Sequence, residues 1–329
     1  MTAPVDMTVP IRSVAIAQWL RPTHPDLAAV EIGRRHRLAG GVGSPLVERV
    51  EVTPVGSGGL RARFEVVAKR ASSAEVVALR EIAAIPGADA LPELIDAGTD
   101  EFGPWVVMPF YPGSTMPWDA EAPEAVFASL ARLHFRHLGS AGSLPADLPR
   151  VDETYCRRAL TDFAPSWLRK SQRKDPHPMH DRALSLLNRW SDDERIYAGL
   201  DVLPATLLHG DAYGLNVVVA HEKSLPPRLI DWGGARVGPI MLDVAMSAER
   251  SSAGFSAYLR AWEDVAGCPF DPWQAEAGHA WARAISNAMF VGAVAERFSP
   301  THAEEMLDQA EAALHRFGRL LAGHSPGRP

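Results

Sequence analysis

Three oxygen-bearing side chains, Asp211, Asn216 and Asp231, stand at spacings that suit metal-assisted chemistry on a phosphate. Leu207-Leu208 leads into the polar loop His209-Gly210-Asp211-Ala212-Tyr213-Gly214-Leu215-Asn216, and the β-branched run Val217 to Ala220 follows. Fifteen residues after Asn216, a second apolar pair, Leu229-Ile230, ends in Asp231-Trp232-Gly233. Val217 to Ala220 and Arg228 to Ile230 read as strands about a turn at Ser224-Leu225-Pro226-Pro227. In an antiparallel hairpin the start of one strand lies beside the end of the other. That sets Asn216 next to Asp231 and holds Asp211 on the loop just upstream. Mg²⁺ takes hard oxygen ligands, few of them from protein, and completes its shell with water and phosphate oxygens. Asn216 and Asp231 suit that part, and Asp211 is left free to accept a proton.

His-Gly-Asp, four residues, Asn, then Ile-Asp-Trp resembles the catalytic signature of the aminoglycoside phosphotransferase and choline kinase family, which shares the protein-kinase fold. Any one of these residues alone would be ordinary, an Asp in a turn or an Asn at a strand entry; the ordered set in one hairpin is specific. The resemblance implies an α+β, bilobal protein-kinase-like fold. Residues 1–110 would form a smaller antiparallel-sheet lobe that binds nucleotide, with 1–45 a helical extension. Residues 111–329 would form a larger, mainly helical lobe that carries catalysis and the acceptor. The implied reaction is ATP-dependent phosphorylation of a small-molecule hydroxyl, with GTP as the alternative nucleotide and Mg²⁺ as the metal. Asp211 would position and deprotonate the acceptor, Asn216 and Asp231 would bind the metal, and Lys69 would hold the nucleotide phosphates.

Upstream, the elements that must position these groups can be followed. Val47 to Val55 and Leu60 to Lys69 read as paired strands about the turn Gly56-Ser57-Gly58-Gly59, whose backbone N–H groups could approach phosphates closely, Ser57 and Gly58 among them. A plain hairpin turn is the alternative. Alternation along Phe64-Glu65-Val66-Val67-Ala68-Lys69 puts Lys69 on the face of Val67. Ser72-Ser73-Ala74-Glu75 then opens a helix as a capping box, with Glu75 reaching back from the third helical position. Glu81 has Val77, Ala78, Ala84 and Ile85 at helical spacing, an apolar setting in which a carboxylate needs a partner. Lys69 is the partner expected for Glu81, matching the family's Lys–Glu pair, and Glu75 is the alternative. Leu91 to Gly98 and Pro104 to Phe110 resemble the two strands that lead to the inter-lobe hinge, where backbone groups near Met108 and Phe110 would hold the adenine edge. Tyr111-Pro112-Gly113 marks the domain boundary.

Two helices are expected in the N-terminal extension, Ile11 to Leu20 and Pro25 to Leu38. Beyond the boundary, Pro123 to His137 carries apolar residues at helical spacing, and His134 reads as a structural rather than catalytic histidine. Ser171 to His180 reads as a loop; its His177 and His180 lack a third ligand for zinc. Gly238 to Ala245 reads as a helix opened by Pro239. Asp243 matches the family's structural aspartate, which braces the catalytic loop. Trp262, Trp273 and Trp281 lie on C-terminal helices, where core packing outweighs stacking on an acceptor ring. Glu249, Glu263, Asp264, Asp271 and Glu276 are the carboxylates that could meet a cationic acceptor. The sequence departs from the family at Trp232-Gly233-Gly234, where many relatives have an aromatic followed by Glu, and in its short glycine turn.

Length and composition bound the rest. A chain of 329 residues, 47% hydrophobic and 22% charged, is long enough for one large domain or two lobes with good cores. The net charge of −7 and the lack of a Lys/Arg-rich patch speak against a nucleic-acid partner. No run is long enough to read as a membrane helix, and the N-terminus lacks the basic-then-apolar order of a signal peptide. Two distant cysteines, Cys156 and Cys268, read as reduced thiols of a cytoplasmic protein, monomeric or homodimeric. The acceptor stays open, because relatives use aminoglycosides, other antibiotics, amino alcohols and sugars. A non-catalytic nucleotide-binding pseudokinase is the reading from another class, and the intact Lys69, Asp211, Asn216 and Asp231 argue against it. A two-metal hydrolase lacks its His/Asp cluster.

Overall fold

A computed structural model describes residues 7–38, 44–56, 63–83 and 85–324. Helix α1 (Ser13–Leu20) precedes the strands β1 (Leu27–Arg37), β2 (Val47–Gly56) and β3 (Phe64–Arg70). Helix α2 (Ser73–Ile82) then leads to β4 (Asp96–Asp100) and β5 (Gly103–Pro109). The five strands form one antiparallel sheet in the order β1-β2-β3-β5-β4. One face is closed by Val9, Ile16 and Leu20, which pack on Val50, Val52, Val66 and Trp105. Arg70, buried at the end of the central strand β3, donates to the Met7 and Thr8 carbonyls and pairs with Asp100, which pins the N-terminal segment down.

The stretch from Pro25 to Leu38 corrects the sequence reading: it is the long edge strand β1, not a helix. Its β-branched Val30 and Ile32 face the sheet at period two, and pairing with β2 supplies the backbone bonds that a lone amphipathic helix would have made internally. Irregularities between Leu27 and Ala29 and between Ile32 and Arg35 bend this edge. The turn containing Ser57 and Gly58 lies outside the described residues.

After a short strand β6 (Gly113–Thr115) the chain turns mainly helical: α3 (Glu124–Arg136), α4 (Glu153–Arg158), α5 (Ala164–Lys174), α6 (Met179–Trp190) and α7 (Glu194–Val202). Four short strands follow, β7 (Ala205–Leu208), β8 (Val217–Ala220), β9 (Arg228–Leu229) and β10 (Arg236–Pro239). Helices α8 (Met241–Ala245), α9 (Ala253–Ala266), α10 (Pro272–Arg297) and α11 (Pro300–Gly323) complete the fold. Strands β7 and β10 pair antiparallel, and β8 joins β6 to β9. Pro239 therefore ends β10 rather than opening a helix, because Gly238 and Pro239 are committed to the β7 ladder opposite Thr206 and Ala205.

α10 is buried along much of its length, with Ala277, Trp281, Ile285, Ala288 and Val291 inside. Trp281 is fully buried and donates to the Ile196 carbonyl, Trp262 packs against Phe270 and Phe135, and Trp273 donates to the Leu320 carbonyl. All three therefore serve the core, where an aromatic of this size removes the most surface from water.

Candidate active site

The hairpin forms in the register that its sequence demands. Val217 faces Leu229 and Val218 faces Arg228 across β8 and β9, so Asn216 and Ile230 are the next pair, joined by Ile230 N–H donating to the Asn216 carbonyl at 2.8 Å. Asp231 is the first residue beyond. Its backbone is left-handed, φ 62° and ψ 67°, and it is the one non-glycine at positive φ among the described residues. Asp tolerates that region better than most residues, yet it remains a local cost of the kind found at functional sites. The Asn216 amide donates to the Asp211 carbonyl at 2.9 Å, which ties the loop to the hairpin.

The loop from His209 to Asn216 hangs from one buried carboxylate. Asp243, fully buried, accepts from the His209 and Gly210 N–H groups at 2.7 and 2.8 Å. Burial works against its charge, but His134 at 3.3 Å, His209 and these N–H donors hold its pKa below the usual carboxylate range. His134 in turn meets the Tyr258 hydroxyl at 2.9 Å, in the structural role expected of it. His209 Nδ1 accepts from Asp211 N–H at 3.2 Å, and Nε2 lies 2.9 Å from the Ile230 carbonyl. These two bonds require a neutral ring protonated at Nε2, and full burial pushes its pKa down in agreement. Gly210 completes the turn at φ 84°; a Cβ there would fall 2.1 Å from the Gly234 carbonyl oxygen.

Lys69, at the end of β3, links the sheet to the hairpin. Its ammonium lies 2.8 Å from Glu75 and 2.5 Å from Asp231. Burial lowers the lysine pKa, and the two carboxylates more than offset it, so Lys69 stays charged. Glu75, not Glu81, is its partner on α2. Glu81 instead stands 3.9 Å from His137. Six residues at about 100° each put Glu81 about 240° around the helix from Glu75, away from the strand end that carries Lys69. The capping box also forms only by half. Ser72 accepts from Glu75 N–H at 3.0 Å, while the Glu75 carboxylate goes to the lysine.

Residues 51–288 match the Phosphotransferase enzyme family, well over half of the chain. The chain belongs to this family. It is thus an enzyme, a phosphotransferase of the aminoglycoside phosphotransferase and choline kinase-like group, with the bilobal protein-kinase-like α+β fold. Solved structures share the fold. A choline/ethanolamine kinase family protein from Mesorhizobium loti is 17% identical over 88% of this chain and 92% of its own, with a TM-score of 0.52. A choline kinase from Cryptosporidium parvum Iowa II is 13% identical over 93% of this chain and 94% of its own, with a TM-score of 0.50. No curated protein matches the chain.

Some residues around this candidate site have no signature in the sequence. Arg236, on β10 and mostly buried, donates to the Gly234 carbonyl at 2.8 Å, to the Gly210 carbonyl at 3.1 Å and to the Tyr155 hydroxyl. It also lies 3.5 Å from Asp211 Oδ1. A lone arginine at a strand start carries no pattern that would single it out. Burial, then the Asp231 and Asp243 charges, push Asp211 up to about 7. In the stretch expected to form the hinge, Met108 is buried, and Phe110 N–H is spent on the Glu65 carbonyl at 2.9 Å, so it is not free for an adenine edge. Tyr111, just beyond, accepts from Glu93 N–H at 2.8 Å, and burial raises its hydroxyl to about 12.

The oxygen set fits a magnesium ion. A carboxylate and a carboxamide sit at one hairpin end, and no cluster of three or more His, Cys, Asp or Glu side chains able to hold a metal is found among the described residues. Two protein donors with the remainder left to water and phosphate is what Mg²⁺ prefers.

Proposed function

We propose that the protein is an ATP-dependent O-phosphotransferase that phosphorylates a hydroxyl of a small molecule. The observation that carries this reading is the meeting of Lys69, held by Glu75, with Asp231 at 2.5 Å, next to a loop that presents Asp211. Asp231 and Asn216 would hold Mg²⁺, which when bound neutralises charge on the phosphate oxygens. Lys69 would take up the nucleotide phosphates and give up part of its contact with Asp231. Asp211 would accept a hydrogen bond from the acceptor hydroxyl, orient its oxygen toward the terminal phosphorus, and receive the proton as the new P–O bond forms. A carboxylate whose proton affinity lies near neutrality is matched to that exchange. Positioning and charge neutralisation are most of what phosphoryl transfer asks of a protein.

GTP is the alternative nucleotide; the N–H of Phe110 is already committed, so the base contact falls to other hinge groups. Two free thiols, one buried and one exposed, support a cytoplasmic setting, and no described helix is long and apolar enough to cross a membrane. The test is ADP release from Mg·ATP across a library of hydroxylated metabolites and antibiotics, run with wild type and Asp211→Asn. Acceptor-dependent ADP that the variant loses supports the reading; ADP output equal in both proteins for every compound overturns it.

A further inference from the structure

A carboxylate that serves an acceptor hydroxyl needs a fixed direction. Among the described residues no N–H or O–H donates to either oxygen of Asp211, so no hydrogen bond supplies it. Two neighbours define its place instead. Oδ2 lies against Gly234, where a Cβ would fall 2.6 Å away, and Oδ1 lies 3.5 Å from Arg236 Nη2.

Sheet register delivers Arg236 to this spot. It pairs with Leu208 across β10 and β7, one residue ahead of His209, and its neighbour Val237 is buried in the core. Alternation therefore turns the Arg236 side chain to the other face, toward the loop from His209 to Asn216. Nε and Nη2 donate to the carbonyls of Gly234 and Gly210. Both glycines leave room for the guanidinium: a Cβ would fall 2.4 Å from Nε at Gly210 and 3.3 Å from Nη2 at Gly234. Nη1 donates to the Tyr155 hydroxyl, and the guanidinium carbon lies 5.4 Å from the centre of that ring. Tyr155 stands in the first turn of α4, where its N–H is held by the Asp152 carboxylate at 2.7 Å. Just ahead of α4, Val151 N–H donates to the Val237 carbonyl and Val237 N–H to the Pro149 carbonyl, both at 2.8 Å. The phenol is thus fixed to the same strand that carries the arginine.

The guanidinium is nearly closed off from water, its side chain 13% exposed. Two carbonyls and a phenol satisfy its donors but not its charge. A buried cation without a counter-charge is costly, and the one carboxylate within 4 Å of it among the described residues is Asp211. Arginine suits this place better than lysine. A planar fork with five N–H groups can hold two carbonyls and a hydroxyl and still turn an edge to a carboxylate. At 3.5 Å that edge attracts Oδ1 from beyond good hydrogen-bond range, so the Asp211 lone pairs stay open to an acceptor hydroxyl.

We infer that Arg236 is a positioning residue that sets the direction of the Asp211 carboxylate, and that Tyr155 holds the arginine in that role; the inference rests on the phosphotransfer reading above.

Arg236→Ala and Tyr155→Phe test it, with ADP release from Mg·ATP measured with water and with the library compounds as acceptors. Arg236→Ala should slow ADP release at least about tenfold and leave the Kd of Mg·ATP within about twofold, because a misdirected base costs turnover and not nucleotide binding. Adding Arg236→Ala to Asp211→Asn should cost less than about twofold more, since the arginine acts through the carboxylate. Millimolar guanidinium should restore part of the Arg236→Ala loss, and sodium at the same ionic strength none of it. Tyr155→Phe removes one oxygen, and should slow ADP release about threefold or more. A crystal structure of Arg236→Ala should show the Asp211 carboxylate turned away from Gly234. Wild-type ADP release in Arg236→Ala would overturn the inference, as would losses that multiply with those of Asp211→Asn, or a carboxylate unmoved in the crystal. If Arg236→Ala does not fold, unchanged ADP release in Tyr155→Phe overturns it alone. A carboxylate that turns in the crystal while wild type releases no ADP with any compound would count against phosphotransfer and leave the Arg236–Asp211 relationship standing. Equal ADP release by wild type and Arg236→Ala would do the reverse.

Discussion

Gly234 stands directly against Asp211: a Cβ at position 234 would fall 2.6 Å from Asp211 Oδ2 and 2.9 Å from its Cγ. The position after Trp232 where many relatives carry Glu is Gly233; Gly234, the next residue, is the one that leaves room for the Asp211 carboxylate. The same glycine offers its carbonyl to Arg236 at 2.8 Å, so the tight turn after Asp231 serves both groups.

Gly234→Ala should push the Asp211 carboxylate away from its place and lower acceptor turnover by at least about tenfold, since catalysis is sensitive to displacements of an ångström. Mg·ATP binding should change by less than about twofold, because neither Lys69 nor Asp231 is touched. Steady-state kinetics with calorimetry on the same preparation checks both. Normal turnover would mean that Asp211 can move at no cost.

Glu75→Gln and Lys69→Met should each lower turnover by at least about tenfold, and the double variant should cost about the same as either single one. Glu75 is 1% exposed and accepts a 2.8 Å bond from the lysine, so either change breaks one buried unit. Glu81→Gln should stay within about twofold of wild type, because its neighbour is His137. Additive losses for Lys69 and Glu75 would show that they act separately.

The site's ordered part was legible because it is local. Asp211, Asn216 and Asp231 belong to one loop and one hairpin, and period-two alternation fixes their register without help from the rest of the fold. The choice between Glu75 and Glu81 was not legible. Both lie on one helix and both follow Lys69 closely, and the decision rests on how α2 is rotated about its axis against β3. Arg236 and Gly234 were invisible for a related reason, since each matters through a close approach between segments that no pattern of residue types encodes. Pro25 to Leu38 failed differently. It mixes short apolar pairs with a basic run, and only the presence of β2 beside it selects strand over helix.

Asp211 links activity to stability with a definite sign. Its pKa is raised in the fold from 3.8 to about 7, so the folded state holds the proton more tightly than the unfolded chain. Stability from this group is therefore present at acid pH and falls as pH rises from about 4 to about 7. The full displacement would be worth ~4 kcal/mol. With 32% of the side chain exposed and Arg236 3.5 Å away, about 1–2 kcal/mol is the reasonable expectation. Asp211→Asn, free of metal and nucleotide, should thus melt about 2–3 °C higher than wild type at pH 8, gain less at pH 5 and show no gain below about pH 4. It should at the same time lose at least about a hundredfold in kcat. A variant equally or less stable than wild type at pH 8 would remove the argument from burial.

Asp231 and Asn216 should separate under metal titration. Asp231 offers a full charge, held low by Lys69 against the effect of burial, and Asn216 only a carbonyl dipole. Hard Mg²⁺ should depend more on the carboxylate. Asp231→Ala should nearly abolish Mg²⁺-dependent nucleotide binding, and Asn216→Ala should leave a weaker enzyme that high Mg²⁺ partly restores. Loss of the Asn216 bond to the Asp211 carbonyl adds a contribution that magnesium cannot restore, so rescue should stop short of wild-type turnover. The left-handed backbone at Asp231 requires a control. Asp231→Gly relaxes φ 62° at no steric cost, and its stability should exceed that of Asp231→Ala by about 1 kcal/mol, while both lose metal binding alike. Calorimetric titration of Mg·ATP into the three variants, with thermal melts alongside, distinguishes lost ligation from lost folding. Wild-type Mg·ATP affinity in Asp231→Gly would show that the hairpin end is not where the metal sits.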